Sequence, residues 1–404
     1  MNYQSFQLTN IILSFLLFVS CSDSQFLESH WNHPISAQGT PPSDFPALER
    51  NLNPKSCGTC HQNQFQNWEK SFHAKSISPG FLWQKEIFTK EEYKSCLNCH
   101  SPLAETKSEI DSNFQTPEII SSKSHNFPDG IDNPSILCAS CHIRNQIRFG
   151  PPPKINKKIE QNSGRIPHNS YVVKEKFESS EFCKSCHESK ETGVRLNGKR
   201  LMEVYTEWEG SSYAKDGIQC QNCHMPDREH SWKGIHDKDF VQNSLEPKWE
   251  VKKNNGVYQI KAELKNRGVG HNFPTYLVPK VYLRFFASLK SQNSRILLEE
   301  SIVGRVVNTN LTEEYLDTRI KPNDSYKISF DYKPNENLVT ELIWEIEVDP
   351  DEQYVRSFEE ELKNRAGTLS YHSKKQLQES LYEKKNSRYI LFTLSWKVPV
   401  SLRQ

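Results

Sequence analysis

Five times in this sequence two cysteines stand three positions apart with a histidine directly after the second: Cys57-Gly58-Thr59-Cys60-His61, Cys96-Leu97-Asn98-Cys99-His100, Cys138-Ala139-Ser140-Cys141-His142, Cys183-Lys184-Ser185-Cys186-His187 and Cys220-Gln221-Asn222-Cys223-His224. Two thiols at this spacing reach both vinyl groups of one haem, and the next residue turns its imidazole under the iron. Paired cysteines also serve zinc sites, thiol redox centres and disulfides, but none of these requires a histidine after every pair. About 0.01 such pentapeptides would arise by chance at these residue frequencies. The five that occur predict five covalently bound haem c groups, with His61, His100, His142, His187 and His224 as proximal iron ligands.

The ligand on the other side of each iron sets its chemistry: methionine raises the potential and a second histidine leaves it lower. Beyond the initiator the chain has only Met202 and Met225, and Met225 directly follows His224, a poor position for the same iron. Bis-histidine haems of low potential are therefore expected. Nine histidines lie outside the motifs, and six of them are placed to serve: His73, His125, His168, His230, His236 and His271. His30 and His33 fall in a polar N-terminal stretch and His372 in a charged helical one, so these three are set aside. Any one of the six, taken alone, reads equally well as a hydrogen-bonded surface histidine.

Residues 11–20 form an apolar run that ends at Cys21, the cysteine the motifs leave over. The run is too short to span a bilayer and has the length of a signal-peptide core. Ser20-Cys21 resembles a bacterial lipoprotein cleavage site, which predicts a signal peptide over 1–21 and a lipid anchor at Cys21. Phe18 stands where Leu is usual and residues 2–10 carry no Lys or Arg, so ordinary cleavage near Ser20, or retention as an anchor, stays open. Each route leads to the periplasm or cell envelope, where covalent haem attachment takes place in bacteria. No later apolar stretch reaches spanning length, and the remainder is expected to be soluble.

The elements that must position these residues divide the chain. Residues 22–50, with Pro34, Pro41, Pro42 and Pro46, read as a flexible tether. Residues 51–245 hold every motif, joined by polar, Pro-, Ser- and Asn-rich connections, and predict a mostly irregular and α-helical module organised around five haems. Only 35% of the chain is hydrophobic, so the porphyrins are expected to serve as this module's core and the apo-module not to fold. Residues 246–404 change texture. Trp249–Val251, Val257–Leu264, Val281–Phe286, Tyr326–Phe330, Leu342–Val348 and Tyr389–Leu394 read as strands, several alternating apolar with polar. They predict an antiparallel β-sandwich-like domain with a helical insertion over Val355–Lys385.

Several segments carry a family likeness: Trp68 with Ser71-Phe72-His73-Ala74 after the first motif, Pro167-His168 before Phe182-Cys183, and Glu207-Trp208-Glu209-Gly210-Ser211 before the fifth motif with its Met225-Pro226, followed by His230 and Gly234-Ile235-His236. Over about residues 55–240 the chain thereby resembles the cytochrome c-554 type of multihaem cytochrome, a group related to octahaem hydroxylamine-oxidising and tetrathionate-reducing proteins. Gly270-His271-Asn272-Phe273-Pro274-Thr275 resembles a segment that opens the C-terminal β-domain in many such proteins and offers its histidine to a haem. The resemblance implies distal roles for His73, His168, His230 and His271, and less directly for His125 and His236. No motif ends in lysine, unlike pentahaem nitrite reductases, which argues against nitrite reduction by that mechanism.

Two functions follow as expectations. One is electron transfer through hexacoordinate irons, with no catalytic residue and the β-domain docking a partner or capping a haem. The alternative is an oxidoreductase in which one iron keeps an open position for a small nitrogen or sulfur compound, with whichever of His125 and His236 is not a ligand moving protons. A docking or sensing lipoprotein is a third class. The 51 basic and 50 acidic residues balance to +1. Haem propionates add negative charge, on the order of one unit per ferric haem. That disfavours nucleic acid and favours a redox partner protein.

Overall fold

The structure, a computed structural model, describes residues 25–112, 134–154, 166–289, 295–334 and 339–399. The expected signal peptide, the lipidation site Cys21 and the candidate ligand His125 lie outside the described residues. Of the described residues, those up to Cys186 together with Gln219–Trp232 form one compact unit, and His187–Ile218 with Lys233 onward form a second.

The first unit is built from short helices. The motifs fall on or beside Pro54–Gly58, Lys90–His100, Cys138–His142, Glu181–His187 and Cys220–His224. A polar residue between the cysteines helps to start some of them: Ser140 Oγ accepts from Leu137 N at 3.0 Å, and Asn222 Oδ1 from Gln219 N at 2.6 Å. Each satisfies a backbone donor at the helix start. The unit's apolar side chains gather in small clusters, one around Leu52, Trp68, Leu103 and Leu137 and another around Phe81, Tyr93 and Leu97.

The stretch expected to be a flexible tether is packed. Residues 25–30 are helical, and Phe26, His30, Ile35 and Phe45 are buried. Its backbone and side chains bond to the region of the third motif: Arg144 Nε donates to His30 O at 2.8 Å, Asn145 N to Gln38 Oε1 at 2.9 Å, and Gln146 Nε2 to Gly39 O at 2.8 Å. Proline and polar residues mark irregular backbone, and here that backbone finds its hydrogen bonds in another segment rather than in water.

The second unit holds seven long strands: β1 (Leu245–Asn254), β2 (Val257–Asn266), β3 (Lys280–Leu289), β4 (Arg295–Val303), β5 (Ser325–Tyr332), β6 (Val339–Asp349) and β7 (Tyr389–Lys397). They form two antiparallel sheets, ordered β5-β2-β1 and β7-β6-β3-β4. Asn255 and Gly256 both take positive φ, 49° and 78°, closing the β1–β2 hairpin as Asn-Gly turns do. Alternation aims Leu342, Trp344, Ile346 and Val348 of β6 to one side. Buried residues of both sheets join one cluster, in which Phe285 stacks on Trp344 at 5.5 Å and meets Phe330 of the other sheet edge-on at 5.2 Å. Aromatic pairs of this kind add about 0.5–1.5 kcal/mol each to the burial of their area.

The expected helical insertion is a pair, Glu352–Arg365 and Tyr371–Lys385, between β6 and β7. The expected boundary at 245/246 is displaced, because 187–218 belongs with the strands. Arg305 Nη1 donates to Arg200 O at 2.8 Å, Lys199 pairs with Asp317 at 2.5 Å, and Arg319 pairs with Glu207 at 2.5 Å. No helix among the described residues is long and apolar enough to cross a membrane.

Candidate functional site

None of the ten motif cysteines, Cys57, Cys60, Cys96, Cys99, Cys138, Cys141, Cys183, Cys186, Cys220 and Cys223, is joined to another in a disulfide. Within the first unit the leading cysteines of two motif pairs touch. Cys57 hydrogen-bonds Cys138, which lowers the pKa of the first and raises that of the second. Cys183 and Cys220 repeat the arrangement, with Cys220 lowered to about 7. Motifs 1 and 3, and motifs 4 and 5, therefore present their attachment points side by side.

The imidazoles supply a direct test of fit. Two rings on opposite sides of one metal, with metal–nitrogen bonds of about 2.0 Å, hold their centroids about 6.2 Å apart. His61 and His168 stand 6.4 Å apart with ring planes 15° from parallel, and His142 and His230 stand 6.1 Å apart at 30°. Each pair joins a motif histidine to one of the six expected partners. By spacing, each couple has room for one metal between its rings.

The surroundings prepare these rings as ligands. His142 Nδ1 lies 2.9 Å from Phe149 O and His230 Nδ1 lies 2.8 Å from Arg228 O, which sets the tautomer with Nε2 as the basic nitrogen. His100 Nδ1 does the same with Ser76 O at 3.0 Å. Burial keeps the rings uncharged, lowering His142 to about 4 and shifting His230 and His100 in the same direction. Neutral imidazole is the form that binds metal.

His168 is held in an unusual backbone conformation. It opens a run of three residues at positive φ, 58° for His168, 51° for Asn169 and 75° for Ser170. Such strain persists only where surrounding contacts enforce it. Here Glu49 Oε2 accepts from His168 N at 3.0 Å and lies 3.6 Å from its Nδ1, while Asn169 Nδ2 donates to Asp44 Oδ2 at 2.7 Å. Both carboxylates come from the segment expected to be a tether. A cavity of about 460 Å³ beside His168 is lined by Phe45, Arg148 and Tyr171 among others.

The remaining expected ligands are placed less uniformly. His73 meets Trp232 edge-on at 4.4 Å, within the first unit. In the second unit His187 Nδ1 lies 2.7 Å from Tyr276 Oη, and His271 Nδ1 lies 2.9 Å from Asn272 O. His236 is engaged differently, with Nε2 hydrogen-bonded to Asp351 Oδ2 at 3.0 Å.

Sequence reasoning set His33 aside, yet both of its ring nitrogens are buried with no hydrogen-bond partner among the described residues. Its ring packs on Trp31 at 6.1 Å, and Trp31 meets Phe182, the residue before Cys183, at 5.0 Å. Two orphaned polar atoms are costly, about 1–3 kcal/mol each, unless something binds them. His30 differs: its Nε2 lies 2.9 Å from Cys141 O, and it sits among Phe26, Phe149 and Phe177, where burial lowers it to about 3.

The model of the family described as cytochrome c554 and c-prime matches residues 56–121. Among solved structures, a penta-heme cytochrome c552 from Thermochromatium tepidum is similar in fold, with a TM-score of 0.59 and 16% identity over 87% of this chain and 100% of that one. No curated protein matches the sequence. The family likeness covers 66 of the 404 residues, and the likeness to the solved structure is one of fold.

Proposed function

We propose that this chain is an exported electron-transfer cytochrome carrying five haems c, one at each motif, with two histidine ligands on each iron. When bound, the haems supply one-electron couples of low potential. The observation that carries the reading is the pair of opposed imidazole couples, His61 with His168 and His142 with His230. Three irons then need distal partners, for which His73, His271 and the orphaned His33 are candidates among the described residues, with His125 outside them.

The chain's own residues do three things in this reading. Backbone carbonyls fix the tautomers of His100, His142 and His230. Burial excludes water from the rings and keeps them uncharged. The paired attachment points at Cys57/Cys138 and Cys183/Cys220 favour short transfer distances between neighbouring groups. The two sheets act as a β-sandwich-like domain that docks a redox partner protein or caps a haem. Export follows the N-terminal apolar run, with a lipid anchor at Cys21 holding the protein to a membrane in the periplasm or cell envelope.

The test is optical. Protein produced with a c-type maturation system is reduced anaerobically and its visible spectrum recorded before and after carbon monoxide. An unchanged spectrum is expected. A shift in about one haem of the five would instead show an iron with an open position and favour a catalytic role.

A further inference from the structure

Trp232 stands between two of the candidate axial ligands. Its ring meets His73 edge-on, with centroids 4.4 Å apart and planes at 71°, and meets His230 edge-on at 5.1 Å and 78°. All three residues belong to the first unit. His230 in turn faces the motif histidine His142 at 6.1 Å. One indole therefore touches a ring of the His142–His230 couple and, on its other side, a candidate ligand outside that couple.

The chain holds this position against its own preference. Trp232 takes a positive φ of 42°, a region that a bulky side chain avoids. Strain of this kind persists only where surrounding contacts over-determine it, and it concentrates at functional positions. Asp227 and Arg228, just upstream, turn the chain with positive φ of 54° and 66°, and both are tied down: Arg228 Nε donates to Glu178 Oε1 at 2.8 Å, and Lys154 Nζ donates to Asp227 O at 3.2 Å. The indole itself packs against the apolar cluster around Leu52, Trp68 and Leu137. His73 is fixed from its own side, with Ile136 N donating to His73 O at 3.2 Å and Trp68 Nε1 donating to Ile136 O at 2.8 Å.

An imidazole that binds a metal through Nε2 keeps one rotation, about the metal–nitrogen bond, and the groups around the rest of the ring fix it. For His230 the hold is twofold. Its Nδ1 lies 2.8 Å from Arg228 O, and the indole meets the ring edge-on, an arrangement that aromatic quadrupoles favour. His73 has the same kind of contact with the opposite side of the indole's surroundings. An aliphatic side chain would fill part of this space but impose no ring orientation. The plane of an axial imidazole decides which iron d orbital it overlaps, and with it the splitting of the low-spin ferric state.

We infer that Trp232 is a positioning residue shared by two haems: one indole fixes the ring orientations of His73 and His230, so that a single side chain sets the electronic states of two irons. The inference rests on the reading of the chain as a bis-histidine multihaem cytochrome, with His73 and His230 among the ligands. It adds an aromatic link between two iron sites, which the chain keeps despite a strained backbone.

The experiment compares electron paramagnetic resonance spectra of full-length ferric holoprotein variants matched for haem content. The low-spin signals lost in His73→Ala and in His230→Ala identify the two irons. In Trp232→Leu the g values of both of those signals are expected to shift while the haems at the other three motifs keep theirs. Trp232→Phe, with a ring of shorter reach, is expected to shift the same two by less. A shift confined to one of the two, a shift spread over every haem, or no shift at all overturns the inference and leaves Trp232 a packing residue. If Trp232→Leu fails to mature, Trp232→Phe decides by the same count of shifted signals. Should His73→Ala or His230→Ala leave every iron closed to carbon monoxide after reduction, the ligand reading fails at that iron and the inference falls with it. If both open an iron and the tryptophan variants move neither signal, the inference alone fails.

Discussion

His61 and His168 face one another with ring centroids 6.4 Å apart, although 107 positions separate them in the sequence and one of them stands in a strained left-handed backbone. The separation is close to the about 6.2 Å expected of two imidazoles on one metal. It connects the first motif with a segment whose conformation is enforced by Glu49.

Removing either distal ring of the two geometric pairs should open a single iron. In His168→Ala, and separately in His230→Ala, about one haem of the five should bind carbon monoxide and give a high-spin ferric signal in electron paramagnetic resonance. A variant with full haem content and the wild-type spectrum would break the corresponding pair.

His33→Ala tests whether the N-terminal segment contributes a ligand. Its buried ring nitrogens predict the same outcome, one newly open iron. Should the variant remain closed to carbon monoxide, His33 is a packing residue and the fifth distal ligand comes from elsewhere.

If His168 ligates iron, Glu49 touches the ligand and not the metal. A carboxylate 3.6 Å from Nδ1 favours the oxidised state of the ligated metal by its charge, so Glu49→Gln should raise one midpoint potential without opening the iron. Potentiometric titration with spectral detection reads this directly, and a shift absent from all five haems would reduce Glu49 to a backbone clamp.

Asp351 predicts an acid limb in stability. Burial raises its pKa, but the hydrogen bond from His236 and the Lys384 ammonium outweigh burial and bring it from 3.8 to about 2. A depressed carboxylate stabilises the fold above its unfolded pKa, and that contribution is lost as the pH falls from about 4 towards 2. Its magnitude is about 2 kcal/mol. Neighbouring Asp349 runs the other way, raised to about 6 by burial, so the comparison must be made between wild type and Asp351→Asn in the full chain. Denaturant unfolding should show the variant weaker at neutral pH by that amount, with the difference vanishing near pH 2.

Much of the second unit was legible because alternation is a local property. Leu342–Val348 lies within β6 and Val257–Leu264 within β2, each strand extending a few residues beyond the apolar run. β4 escaped notice because it is an edge strand in which the successive residues Ile296 and Leu297, which point to opposite faces, are both exposed, so its residues show no inside and outside. The single charged helical stretch proved to be two helices, with Gly367 in the break between them.

The sequence by itself determined the attachment chemistry, since two thiols and a proximal imidazole that meet one macrocycle must be neighbours along the chain. The opposite face of each iron imposes no such spacing. His168 and His230 lie far along the chain from His61 and His142, and only tertiary packing brings their rings together. The same reason hid the role of residues 25–50: proline and polar side chains reveal that a backbone is irregular, but where its hydrogen bonds go is decided by the segment that folds against it.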